Sequence, residues 1–257
     1  MSDQHGNFVW YELLTSDADA AQDFYGKVLD WSFEQRDDMD YRMITGSDGG
    51  VGGIMPLSGE MTANGARPAW LGYLNVDDVD GAAASIAKAG GKVHREPWEI
   101  TGVGRMAFVA DAQGAMIYIM HGTSEAPSTA FASTEPKLGH CAWNELATSD
   151  QPGAVEFYTK QFGWKQEGEM DMGPMGAYQF FHHGPGMIGA VMAKPDEMPV
   201  SAWTYYFRVR NIDKALATIK ANGGHITLEP TEIPGGEFQL NATDPQGAGF
   251  ALVGPKT

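Results

Sequence analysis

Cysteine is nearly absent: Cys141 is the only one in 257 residues, so no disulfide can form within the chain. Basic residues are scarce too, with 17 Lys and Arg against 33 Asp and Glu, a formal net charge of −16. A nucleic-acid partner is not expected, because phosphate backbones are held by clustered Lys and Arg that displace counterions. The deficit is uneven. Residues 1–135 carry 20 acids and 8 bases, a net −12, and residues 136–257 carry 13 and 9, a net −4. No apolar run approaches the ~18 residues that a membrane span requires, so no membrane partner is expected. The opening Met-Ser-Asp-Gln-His-Gly has neither a basic nor an apolar leader segment. With the lone cysteine, this makes a cytoplasmic location the expectation. Also missing are a Gly-x-Gly-x-x-Gly turn after a strand, a phosphate-binding loop and a nucleophile elbow.

Aromatic residues are plentiful. Seven Trp, nine Tyr and twelve Phe within a hydrophobic share of 43% suffice for globular cores, and 33 Gly with 14 Pro point to many turns. Trp10-Tyr11-Glu12-Leu13-Leu14-Thr15-Ser16-Asp17 returns as Trp143-Asn144-Glu145-Leu146-Ala147-Thr148-Ser149-Asp150, 133 residues later. From Trp10 to Trp31, 11 of 22 positions are identical in the second copy, which identifies a duplication. Two domains of ordinary size follow: residues 1–124, a linker over 125–136 without periodicity, and residues 137–257.

Each half divides again. Residues 8–14 read as a strand, Thr15-Ser16-Asp17 as a turn that caps a helix, and Ala20, Ala21, Phe24, Tyr25 and Val28 as that helix's apolar face. Three strands follow. The plan recurs at Ala69–Val76, with a helix over 79–89 closed by Gly90-Gly91, and both units reappear in the second half. The fold expected is α+β, with four βαβββ modules at 8–60, 68–122, 140–195 and 200–254.

A strand and helix bearing Phe-Tyr, then Asp-Trp or Gly-Trp, then Asp-x-x-Gly before the last strand (Asp111–Gly114 and Asp244–Gly247) resembles the vicinal oxygen chelate superfamily. That superfamily includes glyoxalase I, bleomycin- and fosfomycin-resistance proteins and extradiol dioxygenases. The resemblance covers nearly the whole chain and implies that two glyoxalase-like domains each curl a sheet around a cavity. In its catalytic members, His or Glu metal ligands stand on the first and last strands of each module. The corresponding positions here are Trp10, Leu71 and Tyr118, then Trp143, Thr204 and Ala251, with the last in the segments Val51–Met55 and Met187–Met192. None is a usual ligand for a catalytic divalent ion. No cofactor is therefore expected, although a divalent metal stays open as an alternative. His182 and His183 are adjacent on a strand and point opposite ways, so they do not form a metal pair. Met170, Met172, Met175, Met187 and Met192 read as core or pocket lining.

Strand alternation puts Glu12 on the face of Trp10, and Glu145 on that of Trp143. Either carboxylate is a candidate acid/base group, or else a structural hydrogen-bond acceptor. The same alternation assigns Leu71, Tyr73, Asn75 and Tyr118 to a first ligand-binding face, and Thr204, Tyr206 and Arg208 to a second. Arg208 either meets Glu145 or is open to an anionic ligand. Three readings remain at this level. The first is metal-independent binding of a small hydrophobic or aromatic molecule in each domain. The second is a lyase or isomerase of the glyoxalase I type, acting on a small carbonyl or thiol adduct. The third is an oligomeric interaction protein with vestigial pockets. Monomer and homodimer are both compatible with the duplication.

Overall fold

The computed structural model describes residues 3–37 and 39–256. The first module holds strand β1 (Phe8–Thr15), helix α1 (Ala18–Leu29), then β2 (Ser32–Gln35), β3 (Arg42–Thr45) and β4 (Gly50–Pro56), followed by a short helix α2 (Gly59–Ala63). The second holds β5 (Ala69–Asn75), α3 (Val79–Lys88), β6 (Lys92–Ile100), β7 (Gly104–Ala110) and β8 (Met116–Gly122). The third runs through β9 (Cys141–Thr148), α4 (Gln151–Phe162), β10 (Lys165–Asp171), β11 (Ala177–His183) and β12 (Gly186–Ala193). The fourth comprises β13 (Ala202–Arg208), α5 (Ile212–Ala221), β14 (His225–Glu232), β15 (Phe238–Thr243) and β16 (Gly249–Gly254). The four βαβββ modules expected from the sequence are all present, in two mixed eight-stranded sheets ordered β2-β3-β4-β1-β5-β8-β7-β6 and β10-β11-β12-β9-β13-β16-β15-β14.

Local chemistry repeats as the modules do. Each main helix begins after an Asp or Asn in extended conformation whose side chain accepts an amide three residues on. The pairs are Asp17 with Ala20, Asp78 with Gly81, Asp150 with Gly153 and Asn211 with Lys214, at 2.8–3.1 Å. A cap of this kind stabilises its helix by about 1 kcal/mol, so all four modules start their helices by one device.

The chain clusters into two compact units, each built from one module of either half. One unit comprises residues up to Val9, Gly72–Ser128 and Asn144–Trp203, and so unites the strands of the second and third modules. In it the fully buried Tyr158 stacks on Trp164 at 5.0 Å and meets Trp203 edge-on at 5.3 Å. Trp164 Nε1 donates to Gly6 O at 2.9 Å. Gly6 has φ +90°, and a Cβ there would stand 2.3 Å from Phe162 O, so only glycine fits this approach.

The other unit comprises Trp10–Leu71, Thr129–Trp143 and residues from Thr204 onward. Tyr25, Trp31, Trp70 and Phe207 pack at its centre in edge-to-face and tilted pairs with centroids 5.0–5.8 Å apart. Trp31 Nε1 donates to Gly139 O at 2.8 Å, the counterpart of the Trp164 contact. Part of the segment read as a linker is structural here. Ala130 is fully buried, and Phe131 bridges Cys141 in parallel.

In each unit the Phe-Tyr and Asp-x-x-Gly signatures meet. Tyr25 Oη donates to Asp244 Oδ2 at 3.1 Å and accepts from Trp70 Nε1 at 2.9 Å. Tyr158 Oη donates to Asp111 Oδ2 at 3.1 Å and accepts from Trp203 Nε1 at 3.0 Å. The other carboxylate oxygen closes the turn by accepting two amides, Gln246 and Ala248 in one case, Gln113 and Ala115 in the other. The sequence motifs are thus partners in a buried polar chain, and the fold depends on them directly.

Candidate functional site

The residues singled out from the sequence fall into three settings. Trp10 is half-buried and donates from Nε1 to Tyr41 Oη at 2.8 Å, while Glu12 is 4% exposed and Leu71 is buried. Gly53 faces Glu12 across the β1–β4 pairing, and a Cβ on it would stand 2.0 Å from Tyr41 Oη. The Tyr41 ring therefore lies against the strand that this glycine leaves bare. On β9, Glu145 is half-buried and accepts from Tyr178 Oη at 2.7 Å.

The second setting is the inner row of β5–β8. Tyr73 and Tyr118, paired across β5 and β8, stack with centroids 4.3 Å apart and planes 15° from parallel. Phe108 of β7 continues the row at 4.7 Å from Tyr118. From β6, Trp98 meets Tyr118 edge-on at 6.3 Å and His94 lies 5.4 Å from Phe108. Arg95 places its guanidinium carbon 3.7 Å from the Trp98 ring centre. Tyr73 and Tyr118 are buried, Phe108 and Trp98 half-buried, and His94 and Arg95 exposed, so the wall opens toward β6. Asn75 does not join it as a ligand group: it is buried and donates from Nδ2 to Asp3 O at 2.9 Å. Burial, and secondarily the Lys92 charge, lower the His94 pKa, so the ring favours its neutral form.

The third setting is the matching face of β13–β16. Tyr206 is buried in a cluster with Ala142, Ala251 and Val253, against which the half-buried Trp143 packs. Thr204 is half-buried beside it on β13. Arg208 corrects the expectation. It meets neither Glu145 nor an open anion site but Glu237, through two hydrogen bonds of 2.6 and 2.8 Å. Hydrogen bonding to that guanidinium lowers the Glu237 pKa despite partial burial, so the pair stays charged.

The two faces have diverged residue by residue. An offset of 133 carries Arg95, Trp98, Phe108 and Tyr118 onto Leu228, Thr231, Asn241 and Ala251. The strand register agrees, since Phe108 pairs with Tyr118 as Asn241 does with Ala251, and Trp98 with Met106 as Thr231 does with Gln239. One face is an aromatic wall; the other keeps Tyr206, the counterpart of Tyr73, but holds no ring at the positions of Trp98, Phe108 and Tyr118. Sequence reasoning identified Tyr73 and Tyr118 but missed Phe108, Trp98 and Arg95. Strand β6 was expected to end at His94, whereas it continues to Ile100 through Pro97. Two register shifts, flanking Arg95, break the alternation that would have revealed it.

None of the five methionines expected in the core or a pocket is fully buried, and Met175 and Met187 are exposed. Cys141 is fully buried and donates to Trp143 O at 3.2 Å. Among the described residues no group of three or more His, Cys, Asp or Glu side chains is placed to hold a metal ion.

The model of the Glyoxalase/Bleomycin resistance protein/Dioxygenase superfamily matches residues 7–119 and 137–252. The chain belongs to that superfamily. The two matches fall one in each half of the chain. CFP32 of Mycobacterium bovis, named provisionally as a glyoxylase, is 30% identical over 96% of this chain and 94% of its own. The anthracycline biosynthesis protein DnrV of Streptomyces peucetius is 28% identical over 95% of this chain and 91% of its own. Solved superfamily structures share the fold at low identity. The Mn(II)-bound glyoxalase of Novosphingobium aromaticivorans aligns at TM-score 0.67 and 18% identity, over 98% of this chain and 83% of that one. The 2,2',3-trihydroxybiphenyl 1,2-dioxygenase of Sphingomonas wittichii gives 0.68 and 12%, over 98% and 91%. The divalent ion that such relatives imply does not fit the residues present here. Indole, isobutyl, hydroxyl, phenol and methyl groups at Trp10, Trp143, Leu71, Thr204, Tyr118 and Ala251 do not form a usual ligand set for such an ion. No helix among the described residues is long and apolar enough to cross a membrane.

Proposed function

We propose that this superfamily member binds a planar aromatic small molecule without a metal ion, at the open end of the ring wall on β5–β8. The observation that carries the reading is the row Tyr73, Tyr118, Phe108 and Trp98, whose inner rings are buried and whose outer two are half-buried. Contiguous half-exposed rings offer stacking area at little entropic cost, because the buried tyrosines hold the outer rings in place. Metal independence rests on the donor chemistry of the ligand positions. Calorimetric titration with 2-naphthol tests the reading. Saturable 1:1 binding, weakened at least fivefold by Trp98→Ala or Tyr118→Ala, is expected; absence of heat, or binding indifferent to both substitutions, refutes it.

Glu145 supports a second reading. A half-buried carboxylate hydrogen-bonded to the Tyr178 phenol is an arrangement able to pass a proton, as an isomerase or lyase of the glyoxalase I type requires. Turnover of the methylglyoxal–glutathione hemithioacetal, lost in Glu145→Gln, would establish it. No turnover by the native protein removes it.

A further inference from the structure

We propose that the aromatic ligand carries an anionic group, an aromatic carboxylate being the simplest class, which Arg95 receives at the open end of the wall. This rests on the binding reading above and extends it to the ligand's charge. Arg95 is exposed, and its guanidinium carbon lies 3.7 Å from the centre of the Trp98 ring. Arg42 closes ion pairs with Asp19 and Asp40, Arg105 with Asp80 and Arg208 with Glu237, whereas Arg67 and Arg210 close none among the described residues and also have no aromatic ring beneath them. Arg95 closes none among the described residues, in a sequence half of net charge −12 where acids are abundant. A guanidinium resting on an indole keeps its N–H donors at the rim, where a carboxylate can be bound by two of them.

Strand geometry aims the cation at the rings. On a regular strand Arg95 would face away from His94 and Trp98, but register shifts occur on both sides of it, between Val93 and Arg95 and between Arg95 and Trp98. The sister strand β14 has the same two shifts, between Ile226 and Leu228 and between Leu228 and Thr231. There the equivalent residue is Leu228, 39% exposed, and the positions of Trp98, Phe108 and Tyr118 hold Thr231, Asn241 and Ala251. The irregularity therefore needs no arginine. Arg95 and the rings of Trp98, Phe108 and Tyr118 occur together in one copy and are replaced together in the other, as a joint role in recognising one ligand requires. His94, whose pKa burial and the Lys92 charge depress, adds no fixed charge at neutral pH.

The test compares 2-naphthoate with 2-naphthol by calorimetry at pH 7.5, where the first is charged and the second neutral. In the native protein naphthoate should bind about tenfold tighter, the size expected of a partly screened charge-assisted hydrogen bond. The ratio should fall to about one in Arg95→Gln, recover in part in Arg95→Lys, and shrink as salt rises from 0.05 to about 0.5 M. Arg105→Gln removes the same charge from the same unit and should leave the ratio near ten, with circular dichroism confirming that all variants are folded. Naphthol binding without any preference for naphthoate, or a preference that survives Arg95→Gln, overturns the inference alone. If neither compound binds, the aromatic-site reading falls with it.

Discussion

Tyr25 and Asp244 lie 219 positions apart, yet the tyrosine hydroxyl reaches the carboxylate at 3.1 Å inside a fully buried polar chain that starts at Trp70 Nε1. Tyr158 and Asp111 repeat the relationship from Trp203. Burial first, and the Asp244 charge second, raise the Tyr25 pKa well above 10, so the phenol stays a donor at every physiological pH. Tyr25→Phe leaves both the Asp244 oxygen and the Trp70 indole nitrogen short of a partner. It should cost about 2–4 kcal/mol of stability in chemical denaturation, since each orphaned buried group costs about 1–3. Burial also raises the pKa of Asp244 in the folded state. A carboxyl shifted this way contributes stability below its ordinary pKa of 3.8 and loses it as pH rises through the folded value. Asp244→Asn should therefore cost more near pH 4 than at pH 7. An equal cost at both pH values would show that the carboxyl's protonation is not linked to folding.

Cys141 makes a sharper prediction. Burial pushes its thiol pKa up to about 12, against hydrogen bonding with Tyr11 and with the backbone of Trp143 and Tyr206, which lowers it. Because the thiolate is the reactive form, the native protein should resist a disulfide reagent at pH 8 for hours and react within minutes once unfolded. Rapid release of one equivalent of thionitrobenzoate from folded protein would contradict the buried setting.

The architecture was legible because its signals are local and repeated. Trp10-x-Glu12 and its copy revealed the duplication, and Asp17, Asp78, Asp150 and Asn211 marked four helix starts. What was hidden depends on the third dimension. Pairing of second-module with third-module strands in a compact unit has no sequence signal at any fixed spacing. Half of the candidate site was visible for the same reason: Tyr73 and Tyr118 obey strand alternation. Trp98 and Arg95 escaped because the two irregularities of β6 disrupt the period on which alternation relies. Arg208 was recognised as a charge in need of a partner, but Glu237 lies 29 residues on, beyond a hairpin whose register only the folded strands define.

That pair yields a third expectation. Arg208 is 14% exposed and Glu237 34%, so removing the acid strands a mostly buried guanidinium whose Nε has no hydrogen bond in the protein. Glu237→Gln should destabilise by about 1–3 kcal/mol, less than a fully buried pair would lose because the glutamate is partly screened. The direction with pH follows from the lowered Glu237 pKa. Its contribution is complete above the ordinary glutamate value of 4.5 and is lost as pH falls through the depressed folded value. Native and Glu237→Gln proteins should therefore converge in thermal stability as pH falls toward 3.

The metal question can be decided separately from the aromatic site. The ligand positions of the superfamily hold Trp10, Leu71 and Tyr118 in one half and Trp143, Thr204 and Ala251 in the other, side chains that do not displace water from a divalent ion. Purified protein exposed to Mn(II), Zn(II) or Ni(II) and then dialysed should retain well under 0.1 equivalent of each by elemental analysis. Binding of 2-naphthol should be the same within about twofold with and without EDTA, as the proposed metal-free contact with the rings on β5–β8 requires. Stoichiometric retention together with EDTA-sensitive binding would mean that Glu12 or Glu145 has been recruited to a site of different geometry. Glu12→Gln and Glu145→Gln would then identify which, by loss of the bound ion.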